Sequence, residues 1–516
     1  MNGAESLLET LTNNGVEVCF ANPGTSEMHM VAAMGKSEGM RPILCLFEGG
    51  CSGAADGYAR MADKPACTLL HLGPGLSNAS ANLHNAHKAG SAVINLIGDH
   101  ATYHKKYDAP LNSDVIGLSK PVSHWVRTVK DASSLPADAA DAVVAANIKP
   151  GQISTLIVPA DCAWNESVAP VARRVMPIAP QVDNDAVTGA AKLLKNGQQT
   201  ILLMSKMGLT ERCLELADQV SQATGARVFI DTLNKRIPRG EGRCQTERLG
   251  YFAEQAAEQL KGVTQFILVG TKAPVAFFAY PGKPSEFYPA GSTLHTLADT
   301  KQDAEDALSK LVDELDAVNY TLRKQLLQKP TLATGQLSPR NLGVAVATYM
   351  PTDAVVIDES GTAGGGTFAS TASAEPHEWL GITGGSIGYG LPAAIGAAVA
   401  CPDRKVICMH GDGGAMYTIQ SLWTMAREQL DICIVILANG KYGILQVELG
   451  RVGAQSMTPK TLSMLDISNP DIDFVKMAEA MGVPASRANT AEEFNKQFER
   501  AMKEPGPRLI EAMVVQ

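Results

Sequence analysis

The chain has 516 residues, with 44 Lys+Arg against 53 Asp+Glu, a formal net charge of −9 and only 19% charged side chains. Aliphatic residues and 47 Gly dominate, a balance that excludes a disordered chain. No basic stripe of the kind a phosphate backbone requires is present, which excludes a nucleic-acid binder.

At about 150 residues per domain the length predicts three domains, each able to bury its own core. Short apolar runs alternate with helix-like segments, the pattern of parallel α/β layers. Met1 to Gly15 is polar and acidic, without the basic and apolar regions of a secretory signal. The first third is expected to carry strands at Val18-Phe20, Ile43-Phe47, Cys67-His71, Val93-Ile97 and Thr155-Val158. Amphipathic stretches such as Ser6 to Asn14 and Gly50 to Ala62 lie between them. A Pro-bearing linker from Val168 to Asp185 leads to strands at Ile201-Met204, Val228-Ile230, Phe266-Val269 and Leu294-Leu297. A second linker, Gln325 to Arg340, precedes strands at Ala354-Asp358, Val406-His410, Ile432-Leu437 and Leu509-Val514. The expected fold is α/β, three consecutive doubly wound parallel-sheet domains over residues 1–170, 171–335 and 336–516. Gly381 to Cys401 holds no charge, but six glycines and Pro392 predict a loop running into a buried helix rather than a membrane span. The ten cysteines contain no C-x-x-C pair and sit mostly in apolar runs, as buried reduced thiols of a cytoplasmic protein do.

The most informative segment runs from Val406 to Gly443. It reads strand, Gly411-Asp412-Gly413-Gly414, helix (Ser421 to Leu430), strand, then Asn439-Gly440-Lys441-Tyr442-Gly443. Asp412 just beyond one parallel strand and Asn439 just beyond the next would lie side by side at the carboxyl edge of the sheet, where open α/β sheets bind ligands. One carboxylate and one amide oxygen suit Mg²⁺, which completes its octahedron with phosphate oxygens and water. Gly413 and Gly414 would let backbone N–H groups approach those phosphates. G-D-G alone is a common tight turn; the Asn partner 27 residues later is what makes it informative.

This pairing resembles the binding signature of thiamine diphosphate enzymes. The resemblance covers essentially the whole chain, in the order pyrimidine-binding, central and diphosphate-binding domain. The similar branch includes benzoylformate decarboxylase and the acetolactate synthase catalytic subunit. The family usually has two consecutive Asn where this chain has Ala438-Asn439, and its metal ligand is the second. The resemblance therefore implies Asp412, Asn439 and the Lys441 backbone carbonyl as Mg²⁺ ligands. Around them it implies Gly411, Gly413, Gly414, Tyr442 and Gly443 as cofactor contacts. Asp358-Glu359-Ser360-Gly361-Thr362 resembles the family's other cofactor-holding turn. The run from Gly384 to Pro392 is similar to the loop beneath the thiazolium, with Gly385 in it and Ile387 nominated to bend the cofactor.

In such enzymes a Glu contacts N1′ of the aminopyrimidine and so sets up removal of the thiazolium C2 proton, which implies that role for Glu48. The local chemistry agrees if Glu48 ends an apolar strand, where desolvation raises a carboxyl's pKa. The alternative is a helix-start Glu stabilised by the dipole. Asn22-Pro23-Gly24-Thr25 resembles the decarboxylase turn whose Ser meets the substrate carboxylate, so Thr25 would keep that bond. His71 stands at the position of an active-site His in the same enzyme and could relay protons. Gly73-Pro74-Gly75, by contrast, looks more like acetolactate synthase. Three departures stand out: Ala279 occupies the place of a second active-site His, no Trp follows the Asn motif, and Gly98-Asp99-His100 lacks the synthase's Gln.

The resemblance implies thiamine diphosphate and Mg²⁺ as cofactors, a 2-oxo acid substrate, and a homodimer or homotetramer with active sites between subunits. Decarboxylation to an aldehyde is the preferred expectation; acetolactate synthase-like carboligation is the alternative, and a flavin (FAD) in the central domain is the less expected addition. Gly384-Gly385-Ser386-Ile387-Gly388 also matches the serine-hydrolase G-x-S-x-G, but the only later His, His410, follows too soon for the intervening strands. His100 and His104 lack the Glu of a zincin, His84 and His87 lack a third ligand, and Gly35-Lys36-Ser37 is not a Walker motif because position 30 is Met.

Overall fold

The computed structural model describes residues 1–454 and 457–514. The first third supplies β1 (Val18–Ala21), β2 (Arg41–Leu44), β3 (Ala66–His71), β4 (Val93–Asp99), β5 (Trp125–Thr128) and β6 (Ile153–Pro159). The middle third supplies β7 (Thr200–Met204), β8 (Arg227–Ile230), β9 (Ile237–Arg239), β10 (Glu247–Arg248), β11 (Gln265–Val269) and β12 (Thr293–Ala298). The last third supplies β13 (Ala354–Glu359), β14 (His377–Gly381), β15 (Val406–Gly411), β16 (Ile432–Ala438), β17 (Ala485–Ala488) and β18 (Arg508–Met513). They form three sheets, ordered β2-β1-β3-β4-β6-β5, β10-β8-β7-β11-β12 and β17-β18-β16-β15-β13-β14-β9. Every ladder is parallel except β9 against β14. β4 and β16 are buried along their whole length, as parallel strands covered by helices on both faces must be.

The expected strand Ile43-Phe47 is shorter. β2 pairs only with β1, whose end at Ala21 leaves Cys45 N–H to make the last ladder bond, 2.9 Å to Ala21 O. Phe47 O then accepts from Gly50 and Cys51 N–H. Glu48 therefore opens the helix Glu48–Ala62 instead of ending a strand. The expected helix Ser421 to Leu430 is likewise cut to Ser421–Arg427. The strands that periodicity did not signal, β5, β9, β10 and β17, are two to four residues long. Such short strands, most of them at or near a sheet edge, carry little alternation to read.

Gly381 to Cys401 is a loop followed by the buried helix Gly390–Ala400. Among the described residues no helix is long and apolar enough to cross a membrane. All ten cysteines are free, and all but Cys401 are buried. Helix 390–400 crosses helix 48–62 at backbone contact: a Cβ on Gly57 would lie 2.1 Å from Ala393 O, and one on Gly396 1.9 Å from Ala54 O. Glycine at these two positions is what lets the first and third sheets share a core, in which Ala54, Tyr58, Leu391 and Ile395 meet.

Arg60, at the end of the same helix, is fully buried and ties the three sheets together. Its Nε donates to Asp56 Oδ1 (2.9 Å), Nη1 to Gly381 O (2.8 Å) and Lys235 O (3.3 Å), and Nη2 to Thr383 Oγ1 (3.0 Å). Replacing one partner strands a buried charge, at a cost of about 3–5 kcal/mol. Arg60→Met should therefore lower the unfolding free energy by that amount in urea titrations. A loss under about 1 kcal/mol would mean that water reaches Asp56 and hydrates it.

Candidate active site

Two clusters assemble at carboxyl ends of parallel strands. The first follows β15 and β16, which are adjacent in register with Gly411 opposite Leu437. Asp412 is 5% exposed. Its Oδ2 accepts from Asn439 and Gly440 N–H, both at 2.8 Å, and its Oδ1 from Gly413 N–H at 2.8 Å. Asn439 Oδ1 accepts from Lys441 N–H (3.1 Å). Burial pushes the Asp412 carboxyl up, against the pull of these backbone donors, and no cationic side chain among the described residues pairs with it. A buried carboxylate short of positive charge, bonded to the Asn439 and Gly440 backbone, fits Mg²⁺. Among the described residues no group of three His, Cys, Asp or Glu forms a metal cluster; the donor set here would be one carboxylate plus neutral oxygens. Gly413 lies against the Tyr442 ring, its N–H already engaged by Asp412, and Gly443 opens the helix Gly443–Arg451.

Glu359 ends β13 opposite His410. Its carboxylate accepts from Gly388, Tyr389 and Gly390 N–H at 2.6–2.7 Å, and His410 Nε2 lies 3.1 Å away. Within this chain Glu359 thus holds the amino end of helix 390–400 and the adjoining loop. Glu359 also raises the His410 pKa against the opposing effect of burial. With Nδ1 3.0 Å from Gly411 O as well, His410 is committed to these partners rather than to Ser386, which removes the serine-hydrolase arrangement. Asp358 Oδ1 accepts from Ser360 N–H (3.0 Å) and Ser360 Oγ–H, shaping the turn that continues through Gly361–Gly364 and includes Thr362. Ile387, 38% exposed, stands on the loop with its side chain uncovered, an apolar surface of the kind that can support a ring.

The second cluster follows β1, β2 and β3. Glu48 is half-buried, with Oε2 accepting from Asn78 Nδ2 (2.9 Å); Gly75 lies against its Oε1. Asn22 N–H continues the β1 ladder to Leu69 O (3.2 Å), and Pro23-Gly24 leads into the single turn Thr25–Glu27. A Cβ on Gly24 would lie 2.2 Å from His71 Nδ1, so only glycine lets this turn meet the imidazole. Thr25 is exposed; its neighbours make the contacts. Glu27 is fully buried. It accepts from Gly24 N–H (2.7 Å) and from Ser26 Oγ–H, and its Oε2 lies 2.9 Å from His71 Nδ1. Ser26 Oγ is 3.3 Å from the same nitrogen.

Sequence reasoning missed Ser26, Glu27 and a row of asparagines on the helix Leu72–Ala89. Asn78, Asn82 and Asn85, at i, i+4 and i+7, share one face. Asn82 Nδ2 donates to Gly49 O (2.9 Å) and Gly388 O (3.2 Å), and Asn85 Nδ2 to Ser386 O (2.8 Å). They fasten the Ile387 loop to the helix that Glu48 begins, and their spacing was a readable signal. Phe277 was missed too. A Cβ on Gly385 would lie 2.5 Å from its Cζ, so the middle third reaches the site through an aromatic ring, while Ala279 itself is exposed. Of the other histidines set aside above, His84 Nε2 lies 3.1 Å from Gly384 O, His87 stacks on His124, and the His100 and His104 rings are 5.5 Å apart.

Residues 1–119 match the family "Thiamine pyrophosphate enzyme, N-terminal TPP binding domain", and residues 361–512 match "Thiamine pyrophosphate enzyme, C-terminal TPP binding domain". The chain is 49% identical, over 100% of its length and 99% of the relative's, to "Putative acetolactate synthase large subunit IlvX" of Mycobacterium tuberculosis. It is 28% identical to benzoylformate decarboxylase of Pseudomonas aeruginosa, over 98% of this chain and 97% of that one. The solved thiamine diphosphate-dependent 4-hydroxybenzoylformate decarboxylase of Rhodococcus jostii RHA1 superposes with a TM-score of 0.87 at 25% identity, covering 100% and 99% of the two chains. The chain belongs to the thiamine pyrophosphate enzymes. It is a thiamine diphosphate-dependent enzyme related to both benzoylformate decarboxylases and acetolactate synthases.

Proposed function

We propose that this enzyme decarboxylates a 2-oxo acid with an apolar side chain to the corresponding aldehyde. The observation that carries the reading is the pairing of His71 with the fully buried Glu27. Thiamine diphosphate, when bound, supplies the carbon nucleophile and the electron sink for loss of CO₂. Asp412, Asn439 and the Lys441 carbonyl would hold its Mg²⁺. Glu48, its Oε2 fixed by Asn78, would hold the proton shared with the aminopyrimidine, and Ile387 would set the cofactor's shape. With Nδ1 engaged by Glu27, the His71 nitrogen left for proton exchange is Nε2. An imidazole held in this orientation would deliver a proton to the product-forming carbon. The Thr25 hydroxyl, exposed beside this pair, would orient the substrate carboxylate. Phe277 and Phe278, 42% and 54% exposed, offer an apolar wall to the substrate's side chain. A homodimer or homotetramer belongs to the same proposal. It is supported by the apolar side chains of Ile387, Met416, Tyr417, Leu445 and Val447, all at least 38% exposed around the third sheet's edge.

One observation favours carboligation instead, the 49% identity to a relative named as an acetolactate synthase. Proton NMR of products separates the two. The enzyme, loaded with thiamine diphosphate and Mg²⁺, is given pyruvate and benzoylformate separately and together. Aldehyde as the main product, with benzoylformate preferred, is expected. Acetolactate or another acyloin as the main product would overturn the decarboxylase reading.

A further inference from the structure

A cavity of about 420 Å³ opens where the segment after β8 folds against the third sheet. Its wall carries Arg239, Arg243, Arg248 and Phe368. Arg243 is neutralised by Glu211. Arg239 and Arg248 have no ion-pair partner among the described residues. Arg239 is 9% exposed; its Nη2 donates to Phe368 O, while its buried Nη1 has no partner. Both guanidiniums stack on the Phe368 ring, 3.3 and 3.8 Å from its centroid. Stacking occupies the face of a guanidinium and leaves its N–H edge to donate.

The electrostatics point the same way. Burial, with Arg248 adding to it, pushes the Arg239 guanidinium down to about 9, and burial lowers Arg248. The acid whose field reaches both, Asp358, makes no ion pair with either and spends Oδ1 on Ser360. Two like charges held together, one of them buried with an idle donor, are relieved by an anion.

We propose that this cavity binds a phosphoryl-bearing small molecule, distinct from the thiamine cofactor. An arginine fork matches phosphate oxygens two at a time; the half-buried Arg248 is the first donor such a group would meet, with the orphaned Nη1 of Arg239 behind it. The volume lies within the ordinary range for ligand pockets and exceeds what a single phosphate fills. The ligand would also act as a clamp. Arg239 ends β9, the strand from the middle third that pairs with β14, and Phe368 lies in the helix Thr367–Ser370 just after the Asp358–Gly364 turn. Binding would therefore fasten the middle third to the third sheet and raise thermal stability.

The test uses the full chain saturated with thiamine diphosphate and Mg²⁺, so that the cofactor's own diphosphate site is filled. Inorganic phosphate, inorganic diphosphate and ADP are titrated calorimetrically. Saturable binding of at least one is expected, with a rise in Tm that is smaller in Arg248→Gln. Arg239→Met and Arg248→Gln should each weaken binding by about tenfold or more, the loss of one charged hydrogen-bond donor set. Arg248 makes no hydrogen bond with its guanidinium among the described residues, so its variant keeps the test open if Arg239→Met fails to fold. ADP binding more tightly than diphosphate would mark a nucleotide as the ligand; equal affinity would mark the phosphoryl group alone. No binding of any of the three at millimolar concentration, or affinities unchanged in Arg248→Gln, would overturn the proposal.

Discussion

Glu48→Gln is expected to lower turnover by about 10²- to 10⁴-fold, the usual worth of a positioned proton-transfer group. The substitution is nearly isosteric, and an amide oxygen can still accept from Asn78 Nδ2, as Oε2 does at 2.9 Å. The helix that Glu48 opens rests on the Phe47 carbonyl bonds to Gly50 and Cys51, which the change leaves alone. Folding should persist, with Tm within a few degrees of the parent. What the amide cannot do is hold and release a proton at the ring nitrogen of the aminopyrimidine. The decisive measurement pairs steady-state turnover with hydrogen–deuterium exchange at thiazolium C2, followed by NMR after acid quench. Both should fall together. Turnover within about threefold of the parent would remove Glu48 from the proposed role, since a general acid–base group is worth far more than that.

Glu27→Gln should lower turnover as well, although Glu27 is completely buried. The carboxylate only accepts: from Gly24 N–H at 2.7 Å, from Ser26 Oγ–H, and from His71 Nδ1–H across 2.9 Å. An amide whose oxygen stands in the Oε2 place keeps both the Gly24 and the His71 bonds and turns its NH₂ toward Ser26 Oγ, which must then accept. Nδ1–H then donates to a neutral oxygen in place of a carboxylate, a bond about half as strong. A weaker hold on the ring and a reversed Ser26 hydroxyl together predict a fall in kcat of about tenfold. Glu27 would act through His71, so a structural effect has to be told apart from a positioning one. Nitrogen-15 shifts of His71 do this: Nδ1 stays protonated in both proteins, and its resonance moves as the acceptor changes from carboxylate to amide. An unmoved resonance with kcat within twofold would sink the assignment. Glu27→Asp, which restores the charge at a shorter reach, should recover part of the activity.

The metal pair was legible in the sequence because its geometry is a consequence of local order. Parallel strands joined by one helix are neighbours, so residues just past their carboxyl ends lie side by side; Asp412 and Asn439 do so, one backbone bond apart. Glu27 carried no such signature. It follows Gly24 by three residues in a single turn, and only the approach of β3 beside β1 brings His71 to it. The strand expected at Ile43-Phe47 failed for a related reason. Apolar content alone does not show where the neighbouring strand stops, and β1 stops at Ala21.

The sequence by itself determined three parallel α/β sheets and their order, because strands buried on both faces must be written as apolar runs spaced by amphipathic helices. It also determined the family, through short motifs whose chemistry is local to one strand end. Tertiary structure alone decided which side chains meet across the chain: Asn85 with Ser386, Phe277 with Gly385, Arg60 with Gly381, Arg239 and Arg248 with Phe368. Each of these joins residues far apart in sequence. Such contacts have no period and no composition, so they exist only once the sheets have packed.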